Sequence, residues 1–259
     1  YSGPTRVLYY LSQLLAEYAG PFRLFSSYIF LSGAGTAVAA LWVWWLLPRY
    51  WHRLPRDSGR PFAVDAAVSV GKPMSAGALF VPIFIVTVLL FVPFDARITG
   101  ILGCVLIAAI IGFLDDSSTN GWSEYRLGAW DLVVSILAAL IICGLKPYTL
   151  WLPLLKEAIE IPAWLFICGA TPLLWVSINA TNCTDGVDGL SASLSAMAIL
   201  FLGIILYGIV GHATIAAYLL VPHYPDGAQW AIVAFVMVGS LTGYLWHNSY
   251  PSAVLMGDS

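Results

Sequence analysis

The chain has 259 residues, 60% hydrophobic and only 10% charged, with a mean hydropathy of +0.85. Soluble domains carry about 25% charged residues, so this composition excludes an ordinary soluble globule and indicates a polytopic membrane protein of the all-α class. The net charge of −3 offers no nucleic-acid surface, and where the charges stand matters more than their sum.

Residues 1–20 open the chain, and within them 4–20 mix Leu, Tyr and Val with Arg6, Gln13 and Glu17, the pattern of an interfacial helix. No cleavable signal pattern precedes them, so membrane insertion is expected from the internal spans. The first apolar run, 24–47, ends in Trp42, Trp44 and Trp45 beside Pro48 and Arg49, as a span ends at an aromatic belt. Further runs at 75–94, 98–114, 128–146, 162–179, 189–211 and 229–247 bring the expected spans to seven, each near the roughly 20 residues a crossing helix needs.

The stretch 48–74 holds Arg49, Arg53, Arg56, Arg60 and Lys72, five of the eleven Lys and Arg residues. The positive-inside rule therefore places it in the cytoplasm. Parity then makes 115–127, 180–188 and 248–259 cytoplasmic as well, with the amino terminus outside. The outer segments near 95–97, 147–161 and 212–228 carry Arg97, Lys146, Lys156, Glu157, Glu160 and Asp226 without a motif. The whole of 1–259 reads as one transmembrane domain, and an end at Gly257-Asp258-Ser259, inside a motif-bearing loop, is expected to be a truncation.

The four cytoplasmic loops contain every motif with chemistry in it. Asp115-Asp116 stands where a helix leaves the bilayer; neighbouring like charges hold protons against one another unless a cation sits near. The pair is a metal or general-base candidate, or a helix-end pair facing water. In Asn179-Ala-Thr-Asn182-Cys-Thr-Asp185-Gly-Val-Asp188-Gly-Leu190, two glycines permit tight turning, and the carboxylates and amides suit Mg²⁺, which prefers oxygen, and a diphosphate. A calcium loop is disfavoured, because its closing Glu is missing. Gly257-Asp258 follows Asn248-Ser-Tyr-Pro251 and adds a third acidic centre, while Lys72, in Gly71-Lys72-Pro73, is a phosphate partner or one more positive-inside residue.

The histidines His52, His212, His223 and His247 lack zinc spacing, and no serine has a readable His partner. Cys104, Cys143, Cys168 and Cys183 stand singly and read as packing residues.

Asp115-Asp116, the Asn182-x-x-Asp185-Gly-x-Asp188-Gly-Leu190 run and Tyr250-Pro251-x-x-x-Leu255-Met256-Gly257-Asp258 resemble the signature of the polyprenyl-phosphate N-acetylhexosamine-1-phosphate transferases. The Asn-x-x-Pro lead-in and the Gly71-Lys72-Pro73 loop are most similar to the phospho-N-acetylmuramoyl-pentapeptide transferase family within it. That resemblance implies ten spans in the full-length family, both termini outside, a cytoplasmic active site in the bacterial inner membrane, and a further His-rich loop beyond Ser259. It implies transfer of phospho-N-acetylmuramoyl-pentapeptide from the UDP-linked precursor to undecaprenyl phosphate, giving lipid I and UMP, with Mg²⁺ as cofactor and a homodimer as the assembly.

It assigns Asp258 first as Mg²⁺ ligand, Asp116 and Asp188 after it, Asp115 as base or nucleophile, Lys72 as phosphate partner, and Asn179, Asn182, Asp185, Asp188 and Asn248 as nucleotide and diphosphate contacts. The chain departs from the family at Met74-Ser75-Ala76-Gly77, Val70 and Leu255. The nearer rival is an N-acetylglucosamine-1-phosphate transferase of the same superfamily. A transporter would place its carboxylates at the midplane, and an intramembrane aspartyl protease leaves the Asp185 to Asp188 run unexplained.

Overall fold

The computed structural model describes residues 24–25, 27–57, 70–118, 121–152 and 158–258, so the interfacial helix expected within 1–20 lies outside the described residues. The chain is an α-helical polytopic membrane protein. Its helices are α1 (Tyr28–Tyr50, continued by a 3-10 turn Trp51–Arg53), α2 (Gly77–Phe91), α3 (Ala96–Asp116), α4 (Glu124–Cys143), α5 (Ala163–Thr184), α6 (Leu190–Ile205, running into a π turn Leu206–Val210), the short α7 (Ala213–Tyr218) and α8 (Gly227–Asn248). Among the described residues six helices are long and apolar enough to cross a membrane. The expected span at 75–94 is the 15-residue α2, which rises only about 22 Å at 1.5 Å per residue; at its end Val92 leaves the helix for an extended conformation, directly before Pro93. The outer segment 147–161 contains two unanticipated three-residue strands, β1 (Tyr148–Leu150) and β2 (Ile159–Ile161), paired antiparallel with Thr149 opposite Glu160.

Two helix ends run past the expected boundaries. The apolar run before Pro48 suggested that α1 stops there, since proline removes the hydrogen bond to the carbonyl four residues back. The helix instead continues through Pro48, and the Trp44 carbonyl so released meets His247 Nε2 of α8 at 3.0 Å. The polar end of α5, expected to be loop from 180 on, stays helical to Thr184, and its polar side chains bond back along the helix: Asn179 to Trp175 O, Thr181 to Ser177 O and Thr184 to Ala180 O.

α8 is the axis of the bundle, packing on α1, α2 and α6; its apolar stretch is 50% buried against 6% for α5 and for α6. Lipid is as apolar as a side chain, so helices associate in a membrane through close backbone approach at small residues. Gly239 and Gly243, one turn apart on α8, provide it: a Cβ on either would collide with the Thr36 or Ala40 carbonyl of α1. The approach is pinned by Thr36 Oγ1, which donates to Phe235 O at 3.0 Å. One buried cluster, with Leu31, Phe84, Val88, Ile232 and Val236, fills one part of the bundle; a second, with Val43, Leu47, Phe80, Val81, Tyr244 and Val254, lies under the motif-bearing loops.

Gly239→Leu is therefore expected to force α1 from α8 and destabilise the protein by about 1–3 kcal/mol or more, read as a lowered thermal midpoint in detergent. Gly33→Leu on α1, where a Cβ meets nothing within 4 Å, serves as the control and should leave the midpoint in place.

Candidate active site

The segments bearing the motifs meet at one end of the bundle. The strand-like stretch before α2 laces onto the segment after α8: Leu255 N donates to Pro73 O at 2.8 Å, and Ala76 N to Met256 O at 3.1 Å. The stretch is itself held from behind, where Met74 N donates to Pro55 O and Asp57 N to Lys72 O, both at 2.9 Å. Ser75, buried in this seam, has φ +75°, a left-handed conformation that costs a non-glycine residue about 1–2 kcal/mol. It lies one residue from the amide that locks onto Met256.

This seam brings Asp258 to the end of α3. Carboxylate oxygens of Asp115, Asp116 and Asp258 all lie within 4.8 Å of one another. Two of them are held by backbone: Asp115 Oδ1 accepts from Trp122 N, whose loop returns from α3 to α4, and Asp116 Oδ2 accepts from Asp258 N at 3.0 Å. Gly257, at φ +69°, has no room for a side chain, since a Cβ there would strike the Asp116 carboxylate and come within 2.9 Å of Ser75 N. Three carboxylates converging at such spacing repel one another unless a cation shares them, and hard oxygen donors of this kind suit Mg²⁺. The donor set thus fits the metal that the sequence resemblance implies, with Asp115, Asp116 and Asp258 as the residues that would hold it.

Asp188 stands apart from that trio. Its Oδ2 accepts from Ser252 N at 3.0 Å, and the Ser252 hydroxyl accepts from Lys72 Nζ at 3.0 Å, so buried Ser252 joins the expected phosphate lysine to the Asp-Gly-x-Asp loop. The metal-ligand role expected of Asp188 accordingly finds no counterpart in the trio's geometry. Asn248, 3% exposed, braces loops: Oδ1 accepts from Gly189 N and Nδ2 donates to Val254 O, both at 2.9 Å. Asn179 spends its amide on α5 itself.

Asn182 and Asp185 line a cavity of about 390 Å³ together with Gly257 and Asp258, the one member of the trio on its wall, and with Val81, Val105, Ala108 and Met237 on its apolar side. Ser177 and Thr181 of α5, Asp131 of α4 and Ser191 of α6 line it as well, and none was read as a site residue in the sequence. The signal for Asp131 was present: a carboxylate inside an apolar span is expensive and marks function by default. Trp122, by contrast, acts through its backbone N–H, and Ser252 through its backbone N–H as well as its hydroxyl, and no motif displays a backbone donor.

Residues 98–259, more than half of the chain, match Glycosyl transferase family 4. Two curated relatives, from two strains of Treponema pallidum of which one is the Nichols strain, are each 41% identical to this chain over 256 residues, covering 97% of it and 70% of the relative, and each is named phospho-N-acetylmuramoyl-pentapeptide-transferase. The motifs that the fold draws to one mouth and the similarity along nearly the whole chain agree: the chain belongs to glycosyl transferase family 4, among the phospho-N-acetylmuramoyl-pentapeptide-transferases.

Proposed function

We propose that the chain transfers phospho-N-acetylmuramoyl-pentapeptide from its UDP-linked precursor to undecaprenyl phosphate, releasing UMP and forming lipid I. In this reading it works as a homodimer in the bacterial inner membrane with the motif-bearing mouth toward the cytoplasm. The observation that carries the proposal is the convergence of Asp115, Asp116 and Asp258 beside the Asp185 to Asp188 loop, at the end of an apolar cavity. A lipid phosphate and a water-soluble nucleotide can meet only at such a boundary.

Phosphoryl transfer is chiefly positioning and charge neutralisation. Mg²⁺, when bound, would supply neutralisation of the diphosphate and polarisation of the reacting phosphoryl group. The protein's own groups do the placing. Lys72, anchored on Ser252, is a point charge for a phosphate of the nucleotide. Asn182 and Asp185 offer polar contacts at the cavity mouth, and Asp188 keeps the 185–188 loop fixed against the segment after α8. Asp115 is better suited to holding the cation than to being the base or nucleophile that the resemblance allows, because a carboxylate sharing a cation is a weak proton acceptor.

The test offers purified protein UDP-N-acetylmuramoyl-pentapeptide and UDP-N-acetylglucosamine in turn, with undecaprenyl phosphate and Mg²⁺, and measures UMP release. Release from the muramoyl substrate alone is the expected result. Release only from UDP-N-acetylglucosamine would transfer the assignment to the sister activity, and proton or ion flux without UMP would end the transferase reading.

A further inference from the structure

Lys72 is fixed at both ends of its side chain. Its backbone lies between two neighbouring segments: Gly71 N donates to Asp57 O and Asp57 N to Lys72 O, both at 2.9 Å, and Leu255 N donates to Pro73 O at 2.8 Å. Its tip is fixed by a residue 180 positions away, where Nζ donates to the Ser252 hydroxyl at 3.0 Å. Ser252 is buried and itself held: its N–H donates to Asp188 Oδ2 at 3.0 Å, and Ala253 N, the next amide, donates to His247 O at 2.9 Å. A lysine has a flexible four-carbon stem, and ordering such a side chain at the moment of binding costs affinity. Here that ordering is complete when the protein folds. The kind of acceptor matters as much. A carboxylate in that place would neutralise the ammonium, whereas a hydroxyl is neutral, takes one N–H, and leaves the charge and two N–H groups for an anion.

We propose that Ser252 is a positioning residue for the sugar nucleotide: its hydroxyl aims the Lys72 ammonium at a phosphate of the diphosphate. Ser252 acts through Lys72 and does not itself touch the ligand. Its two bonds divide the work, the backbone N–H steadying the 185–188 loop through Asp188 and the side chain steadying the lysine. The proposal rests on the transferase reading above and on the phosphate role given there to Lys72.

The hydroxyl can be removed by itself. Ser252→Ala keeps the backbone N–H that Asp188 accepts, so the brace of the loop stays and only the anchor of Lys72 is lost. The variant is expected to raise KM for the sugar nucleotide about tenfold, the scale of one hydrogen bond made by a charged group, with kcat and KM for undecaprenyl phosphate within about twofold of wild type. In a Lys72→Met background the same change should add less than about twofold, because the side chain it positions is gone. Binding gives a reading apart from catalysis: wild-type protein in detergent should bind UDP more tightly than uridine, and Ser252→Ala and Lys72→Met should each narrow that gap about tenfold. Ser249→Ala is the control, since its hydroxyl, three residues earlier, bonds back to Leu245 O of α8 at 2.7 Å. A nucleotide KM unchanged in Ser252→Ala, an effect that multiplies in full with Lys72→Met, an unaltered preference for UDP, or an equal loss in Ser249→Ala would overturn the proposal and leave the bond as a brace of the fold. Wild-type protein that prefers UDP to uridine but releases no UMP would defeat the transferase reading, while the binding comparison would still decide the role of Ser252.

Discussion

Asp258→Asn and Asp115→Asn are each expected to lower turnover by about a thousandfold, the loss of ~4 kcal/mol of transition-state stabilisation, while the helical fold and detergent-solubilised yield persist. Both residues belong to the group whose carboxylate oxygens lie within 4.8 Å of one another, and an amide lacks the charge that offsets a shared cation. The loss should be accompanied by a higher Mg²⁺ concentration for half-maximal UMP release. Asp188→Asn separates two roles. Asn retains an oxygen able to accept from Ser252 N, so if Asp188 only braces the loop the variant keeps most of its turnover, whereas a thousandfold loss would place its charge among the cation ligands. Near-wild-type activity of either trio variant would remove that residue from the cradle.

Gly257→Ala is expected to cost about a hundredfold in turnover, although it adds a single methyl group. Two effects combine. At φ +69° an alanine is strained by about 1–2 kcal/mol, and its Cβ occupies the place of the Asp116 carboxylate. Asp116 Oδ2 is also the acceptor for Asp258 N, so displacing it shifts two of the three carboxylates together, and misplacement by about 1 Å in a reacting constellation costs roughly 10²-fold. Gly71→Ala separates the effects, for Gly71 has φ +83° but open space around its Cα. If backbone strain alone mattered, the two variants would lose activity equally; the steric account requires Gly257→Ala to be much the worse.

The bundle and the gathering of its motifs were legible because both follow from strong, long-range constraints. Apolar runs long enough to cross a bilayer leave little choice of element, and parity assigned Asp115, Asp185 and Asp258 to one end before any contact was known. The geometry brings the segments carrying them together there, with Asp115 and Asp258 in one carboxylate group and Asp185 lining the cavity beside Asp258. What escaped depended on local hydrogen-bond accounting. Pro48 looked like a terminus because the partner that accommodates it, His247, lies about 200 residues away in sequence. Asn179 and Asn182 looked alike on the page, yet one spends its amide on its own helix and only the other lines the cavity. Asn248 read as a ligand contact because a polar residue beside a motif suggests one; buried, it serves two backbone groups instead.

The bond from Asp258 N to Asp116 Oδ2 joins residues 142 positions apart, and that span has a consequence for biosynthesis. A ribosome that has delivered α3 to the membrane has made two of the three acidic groups, but the last arrives only after five more helices have emerged. If the trio is the cation cradle proposed above, a nascent chain stays inert until the final helix of the described bundle has threaded down the centre and carried its tail back to the start.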